Sequence, residues 1–182
     1  MKNQISDRVR LLCRTALLCA VLCVCAVITF PIDAVPVTLG LFGVYLCGML
    51  LPPRRALAAV LCYLALGCVG MPVFSSMQSG IGVLFSVTGG FLWSYPVMAW
   101  LASVGVRVTG GIHRRPLRAV LRMLFCLLGL LCCYTLGCAW FMISTGSSVR
   151  SALTVCVVPF VLMDVVKILL AVGIGENFQR KF

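Results

Sequence analysis

PFVLMDVVKILLAVGIG, from Pro159 to Gly175, reads as a bilayer-spanning helix, yet it carries Asp164 and Lys167 three positions apart. An ionisable residue at the centre of a spanning helix costs about 2.5–3.5 kcal/mol on insertion scales. Two of them need compensation. At i and i+3 they lie on one helical face, so each can offset the other and both can aim into one polar cavity. Proline suits a first helical turn, where its missing N–H leaves nothing unsatisfied. A helix that begins near Pro159 puts Asp164 and Lys167 in its second and third turns. Two readings stand side by side: a ligand site, or a buried ion pair that only tethers helices.

The rest of the chain has the same character. Of its 182 residues, 62% are hydrophobic and only 10% charged, against about 45–50% and about 25% in soluble domains. That leaves too little polar surface to wrap a water-soluble core, so lipid is the expected solvent. The apolar stretches are continuous rather than alternating, which favours helices over a transmembrane barrel. At about 20 residues per spanning helix, the chain has room for a bundle of six, forming a single domain over 1–182. The spans read as 11–30, 38–51, a third from the Pro52-Pro53-Arg54-Arg55 break to Val69, 83–106, 119–143, and a last one ending near Gly175. The N-terminal stretch has a basic start and an apolar run, but no small-x-small cleavage site follows. An uncleaved first helix is expected.

Charge orients the bundle. Every lysine and arginine except Arg150 and Lys167 falls near a terminus or in the joints around Arg54 and Arg107. Six spans with both termini cytoplasmic put all of these inside and leave Arg150 outside with Asp33, as the positive-inside rule requires. The chain then lies in the cytoplasmic membrane as a multi-pass protein. Its net charge of +11 suits the anionic headgroups of membrane lipids, and no nucleic-acid partner is needed to explain it. Asp164 and Lys167 lie in the outer half of the last span, open to ligands arriving from outside.

Other features are weaker. Phe74, Phe91, Trp93 and Tyr95 flank the same outer side, as ligand-wall residues or as interfacial aromatics. Thr88-Gly89-Gly90 opens the fourth span, where glycines let backbone or ligand approach closely. Ala16 and Ala20 place small residues at i and i+4 on the first helix, a spacing that admits a neighbouring helix in lipid. The 12 cysteines sit mostly inside apolar runs and form no C-x-x-C pair, so they read as small core groups rather than thiol chemistry. His113 reads as a solvated loop residue. No nucleotide-binding loop, metal-ligand cluster or serine–histidine–acid set emerges. The sequence therefore predicts no catalytic residues, no metal, no cofactor and no enzyme.

Four pieces in order resemble one family: VP-V-TL at Val35–Leu39, YL-x-LG-x-x-G-x-PVF at Tyr63–Phe74, TGG at Thr88–Gly90, and PF-x-x-x-D-x-x-K at Pro159–Lys167. Together they resemble the BioY family, the biotin-specific S components of energy-coupling-factor transporters. The resemblance implies a six-helix bundle that binds biotin from the outer face, with Asp164 and Lys167 contacting the ligand. Biotin's ureido ring offers N–H donors and a carbonyl acceptor, which suit a carboxylate beside an ammonium. Its thiophane ring suits an apolar wall. The resemblance also implies a membrane coupling protein, met through Ala16 and Ala20, and two cytoplasmic ATPases that hydrolyse ATP.

The chain departs from the family's wording in four places, one of them the outer loop SSMQSG at 75–80, which lacks the family's more usual glycine-rich wording. Gly40 stands where glutamine is frequent, Val87 where proline is frequent, and Phe91 where tyrosine is. These bear on the pocket's detail more than on substrate class. Three alternatives stay open: an S component for another vitamin, a membrane thiol oxidoreductase, and a structural subunit whose Asp–Lys pair glues helices.

Overall fold

Proline and glycine set the joints of the bundle. The computed structural model describes residues 2–30 and 37–179. Asp33 and most of the first joint, together with Arg180 and Lys181, lie outside the described residues. Helix α1, Lys2–Val27, leads into a two-residue antiparallel pairing of β1, Thr29–Phe30, with β2, Val37–Thr38. Apart from that pairing, the described elements are helical. They are α2, Gly40–Leu50; α3, Pro53–Val69; α4, Gly89–Val108; α5, Arg115–Thr145; α6, Val149–Cys156; and α7, Val161–Gln179. Pro53 sits in the first turn of α3, which ends at Gly70 in the left-handed region (φ 112°). Only glycine adopts that conformation without strain.

Several expected boundaries shift, each for a local reason. The sequence reading starts the fourth span at Val83, but Ile81–Phe85 winds as a 3-10 helix and α4 begins at Gly89. The Ser86 hydroxyl donates to the Val83 carbonyl at 2.7 Å, offering that carbonyl an alternative to the helical ladder. α5 begins at Arg115 rather than Ala119, with Pro116 in its first turn, and α1 begins at Lys2 rather than Leu11. The largest correction concerns the last span. It is two helices, α6 and α7, bent by 50° at the break that contains Pro159. Proline interrupts the backbone ladder, so Pro159 precedes α7. Asp164 then falls in the first turn of α7 and Lys167 in its second.

α2 is the centre of the bundle. Val44, Tyr45, Cys47 and Met49 are fully buried, and the helix packs against α1, α4 and α7. A helix that is apolar all round belongs in a core. Its 11 residues rise only about 16 Å at 1.5 Å each, too short to cross the hydrocarbon layer. Two described helices are long and apolar enough to do so, α1 and α5, and the bent α6–α7 pair makes a third. These helices display Leu17, Val24, Leu131, Leu162 and Leu170 outward, each more than half exposed. A continuous apolar exterior of this kind belongs in lipid.

Close approach fixes the pairings inside. A Cβ on Gly48 of α2 would stand 2.6 Å from the Ala102 Cβ of α4. The Ser103 hydroxyl donates to the Leu51 carbonyl, and the Tyr45 hydroxyl donates to the Cys126 carbonyl at 3.0 Å. The cysteines are all free, with Cys47, Cys126 and Cys133 completely buried among these helices.

Candidate functional site

The break at Pro159 aims the start of α7 at the inside of the bundle. Asp164 is 2% exposed and Lys167 6%. The Lys167 ammonium donates to Asp164 Oδ1 at 2.8 Å, and the Tyr134 hydroxyl of α5 donates to Oδ2 at 2.8 Å. The N-terminal end of α7 adds the positive pole of its dipole beside the carboxylate. Neither group is saturated. A carboxylate has about four lone-pair sites and an ammonium three donors, so each can bind further partners.

These groups floor one end of a cleft with about 710 Å³ of atom-free space, its open mouth included. Phe74, Phe91, Tyr95, Leu41, Leu92 and Val83 give the cleft its apolar wall, and Thr38, Ser75, Gln78 and Thr88 its polar rim. The wall is braced from behind. Tyr63 meets Phe74 edge-on at 5.6 Å and stacks on Tyr95 at 6.5 Å. The Phe91 ring lies where a side chain at Gly137 would be. On the rim, the buried Ser75 hydroxyl has no hydrogen-bond partner. An orphaned buried hydroxyl is costly, and this one borders the cleft. Ser76 and Met77 beside it hold positive φ angles of 55° and 57°, a strain that clusters at ligand sites.

Of the residues singled out from sequence, Asp164, Lys167, Phe74, Phe91 and Tyr95 line this one cleft, and Trp93 does not. On a helix, positions 91 and 95 share a face while 93 points away. Trp93 is 49% exposed, and its indole N–H donates to the Leu84 carbonyl at 3.1 Å. Trp140 of α5 does the same for the Ser86 carbonyl at 2.8 Å. The two indoles thus pin the loop that carries Val83 and Thr88 over the cleft. Gly40 lies under the site, where a Cβ would stand 3.3 Å from the Tyr95 hydroxyl oxygen. Val87 lies outside the lining, 41% exposed. Ala16 and Ala20 sit together on the exposed face of α1, remote from the cleft.

Sequence reasoning passed over Tyr134, Ser75 and Gln78, and reached Thr38 and Thr88 only as members of motifs, not as pocket residues. Tyr134 had one cue, a hydroxyl inside an apolar run that must find a partner when buried. Cys133 and Cys156 also border the cleft, as small apolar groups. Among the described residues, no three His, Cys, Asp or Glu side chains gather as metal ligands. The arrangement can bind a small, largely apolar molecule that carries both hydrogen-bond donors and an acceptor at one end.

Known proteins share this chain's sequence and shape. The BioY family profile matches residues 1–182. The probable biotin transporter BioY of Pyrococcus horikoshii is 34% identical over 152 residues, 84% of this chain and 85% of that one. The biotin transporter BioY2 of Lactococcus lactis is 34% identical over 153 residues, covering 84% and 81%. A crystal structure of the S-component for biotin from an ECF-type ABC transporter superposes with a TM-score of 0.85. It covers 96% of this chain and 93% of that one at 21% identity.

Proposed function

Because the chain belongs to the BioY family, we infer that it binds biotin and serves its uptake as the substrate-binding S component of an ECF-type transporter. It is not an enzyme; ATP hydrolysis belongs to partner subunits. The observation that carries the substrate reading is the buried Asp164–Lys167 pair at the end of an aromatic-walled cleft. A ureido ring presents N–H groups and a carbonyl on adjacent edges. The Asp164 carboxylate would accept from its N–H, and the Lys167 ammonium would donate to its carbonyl. Charge-assisted bonds of this kind are about twice as strong as neutral ones. The thiophane ring and valeryl chain would lie against Phe74, Phe91 and Tyr95, and the unpartnered Ser75 hydroxyl is free to bond a polar group near the mouth.

The finer reading is one domain over 1–182, six membrane crossings in the cytoplasmic membrane and both termini inside. α1, α3, α4 and α5 would each make a crossing, α2, too short to cross alone, would make one together with the residues that flank it, and the bent α6–α7 pair would make the sixth. Partners would be membrane lipids, a membrane coupling protein and two cytoplasmic ATPases. The exposed Ala16–Ala20 face of α1 supports a close helix contact with the coupling protein.

Equilibrium binding of labelled biotin to the purified protein, beside Asp164→Asn, tests the site. Losing one charge-assisted bond of about 1.5–3 kcal/mol should raise Kd roughly tenfold to a hundredfold in a protein that remains folded. Equal affinity in both proteins would remove Asp164 from the site. A folded parent that ignores biotin would favour a different vitamin.

A further inference from the structure

The end of the bundle opposite the biotin cleft holds a second, basic cleft. The α4 C-terminus, the 3-10 turn Thr109–Gly111, the start of α5 and the end of α7 enclose it. Arg107, His113, Arg115, Arg118, Arg122 and Glu176 line it. Arg122 is 2% exposed, donates through Nε to Thr109 Oγ1 at 2.9 Å and pairs with Glu176. Arg118 grips the same carboxylate from both Nε and Nη2. One carboxylate therefore serves two guanidinium groups, while Arg107 and Arg115 are exposed with no ion-pair partner among the described residues. Three positive charges in the cleft stay uncompensated.

Helix polarity adds to the imbalance. The first turn of a helix favours acids, since its N–H groups form the positive pole. The first turn of α5 contains no acid, and its N-cap, Arg114, gives no side-chain cap. Arginines thus crowd the positive pole of a 31-residue helix. A local rule broken at this strength marks a place where something of opposite sign belongs. Gly110 and Gly111 leave open space beside the backbone, and arginine forks suit phosphate oxygens. Beside the cleft, Val108 is 64% and Leu117 50% exposed. These are apolar surfaces that a free phosphate would leave uncovered and acyl chains would cover.

We propose that this cleft binds the phosphate headgroup of an anionic phospholipid, at a basic pocket between helices of the kind that holds such headgroups. The assignment rests on the membrane reading and not on biotin.

The test uses the full chain in neutral detergent and follows its unfolding midpoint, because a ligand that binds only the folded state raises it. Probes are dioctanoyl phosphatidylglycerol, dioctanoyl phosphatidylcholine and inorganic phosphate. The comparison protein is the double variant Arg107→Gln with Arg115→Gln, two exposed side chains whose loss leaves the Arg118–Glu176–Arg122 contacts in place. Phosphatidylglycerol should raise the parent's midpoint saturably, with binding weakened about tenfold or more in the variant. Phosphatidylcholine should do little in either. Equal response of parent and variant to phosphatidylglycerol overturns the site. Saturation by inorganic phosphate at similar concentration keeps the anion site and overturns the lipid as its source. A variant that takes lipid normally but no longer assembles with the coupling protein overturns the proposal in favour of a protein contact. Biotin binding on the same samples separates the two readings: a parent that takes the lipid and not biotin keeps this site and loses the transport substrate.

Discussion

Asp164 and Lys167 are buried together, so changing one alone is a different experiment from changing both. Lys167→Ala leaves a carboxylate at 2% exposure with only the Tyr134 hydroxyl against it. Stranding one member of a buried pair costs about 3–5 kcal/mol, and unfolding in detergent should register a loss of that order. Replacing both, Asp164→Asn with Lys167→Met, removes the charges together and should recover most of that stability. Biotin binding should stay lost in the double variant. Recovery of both stability and binding would mean that the pair only glues helices. The two charged residues were legible from sequence because ionisable groups inside an apolar run stand out. Tyr134 was not, because one tyrosine in a 31-residue apolar helix leaves no pattern, and its partner is 30 positions away. The Ser75 hydroxyl was equally silent, since only the folded loop shows that it lacks a partner.

At the scale of elements, the cleft's wall depends on how tightly α4 meets α5. The Phe91 ring occupies the space over Gly137, so a methyl there must displace an aromatic ring of the site. In an ordinary helix, Gly→Ala gains up to about 1 kcal/mol. Gly137→Ala should instead weaken biotin binding several-fold while helix content by circular dichroism stays unchanged. Improved stability with full affinity would show that Phe91 moves freely and does not shape the pocket. The same element explains what sequence reading could and could not reach. Apolar runs and their proline breaks located the helices apart from α6, which the reading merged with α7 into one span, and a run cannot report its own first residue. With α4 taken to begin at Val83, Phe91, Trp93 and Tyr95 looked like one aromatic group. The structure begins α4 at Gly89 and shows that helical geometry divides them, two toward the cleft and Trp93 onto the loop. Pro159 was read as a first-turn residue. In the structure it sits in the 50° break, and that bend turns Asp164 inward.

For the whole molecule, the folded chain gathers its described arginines, Arg150 apart, at one end. The β1–β2 pairing joins the α1 C-terminus to the α2 N-terminus, which leaves the arginines of early α1 at the other end. The Ser103–Leu51 bond brings the α2–α3 turn, with Arg54 and Arg55, beside the end of α4 and Arg107. Glu176 ties the C-terminal part of α7 to Arg118 and Arg122 at the start of α5. Glu176 lies about 18 Å along α7 from Asp164, at 1.5 Å per residue. The cleft around Asp164 and Lys167 and the arginine-rich end are therefore at opposite poles. If that end obeys the positive-inside rule, the cleft faces outward. Fluorescent-protein fusions, which mature only in the cytoplasm, should then glow at both termini. An alkaline phosphatase inserted at Ser147, in the joint between α5 and α6, should be active because it folds only outside. A fluorescent N-terminus with an active phosphatase at the C-terminus would require an odd number of crossings and end the six-span reading. Reversal of all three reporters would open the cleft to the cytoplasm. Asp164 and Lys167 would then meet biotin only after it had crossed, so the same pocket could not be the capture site for uptake.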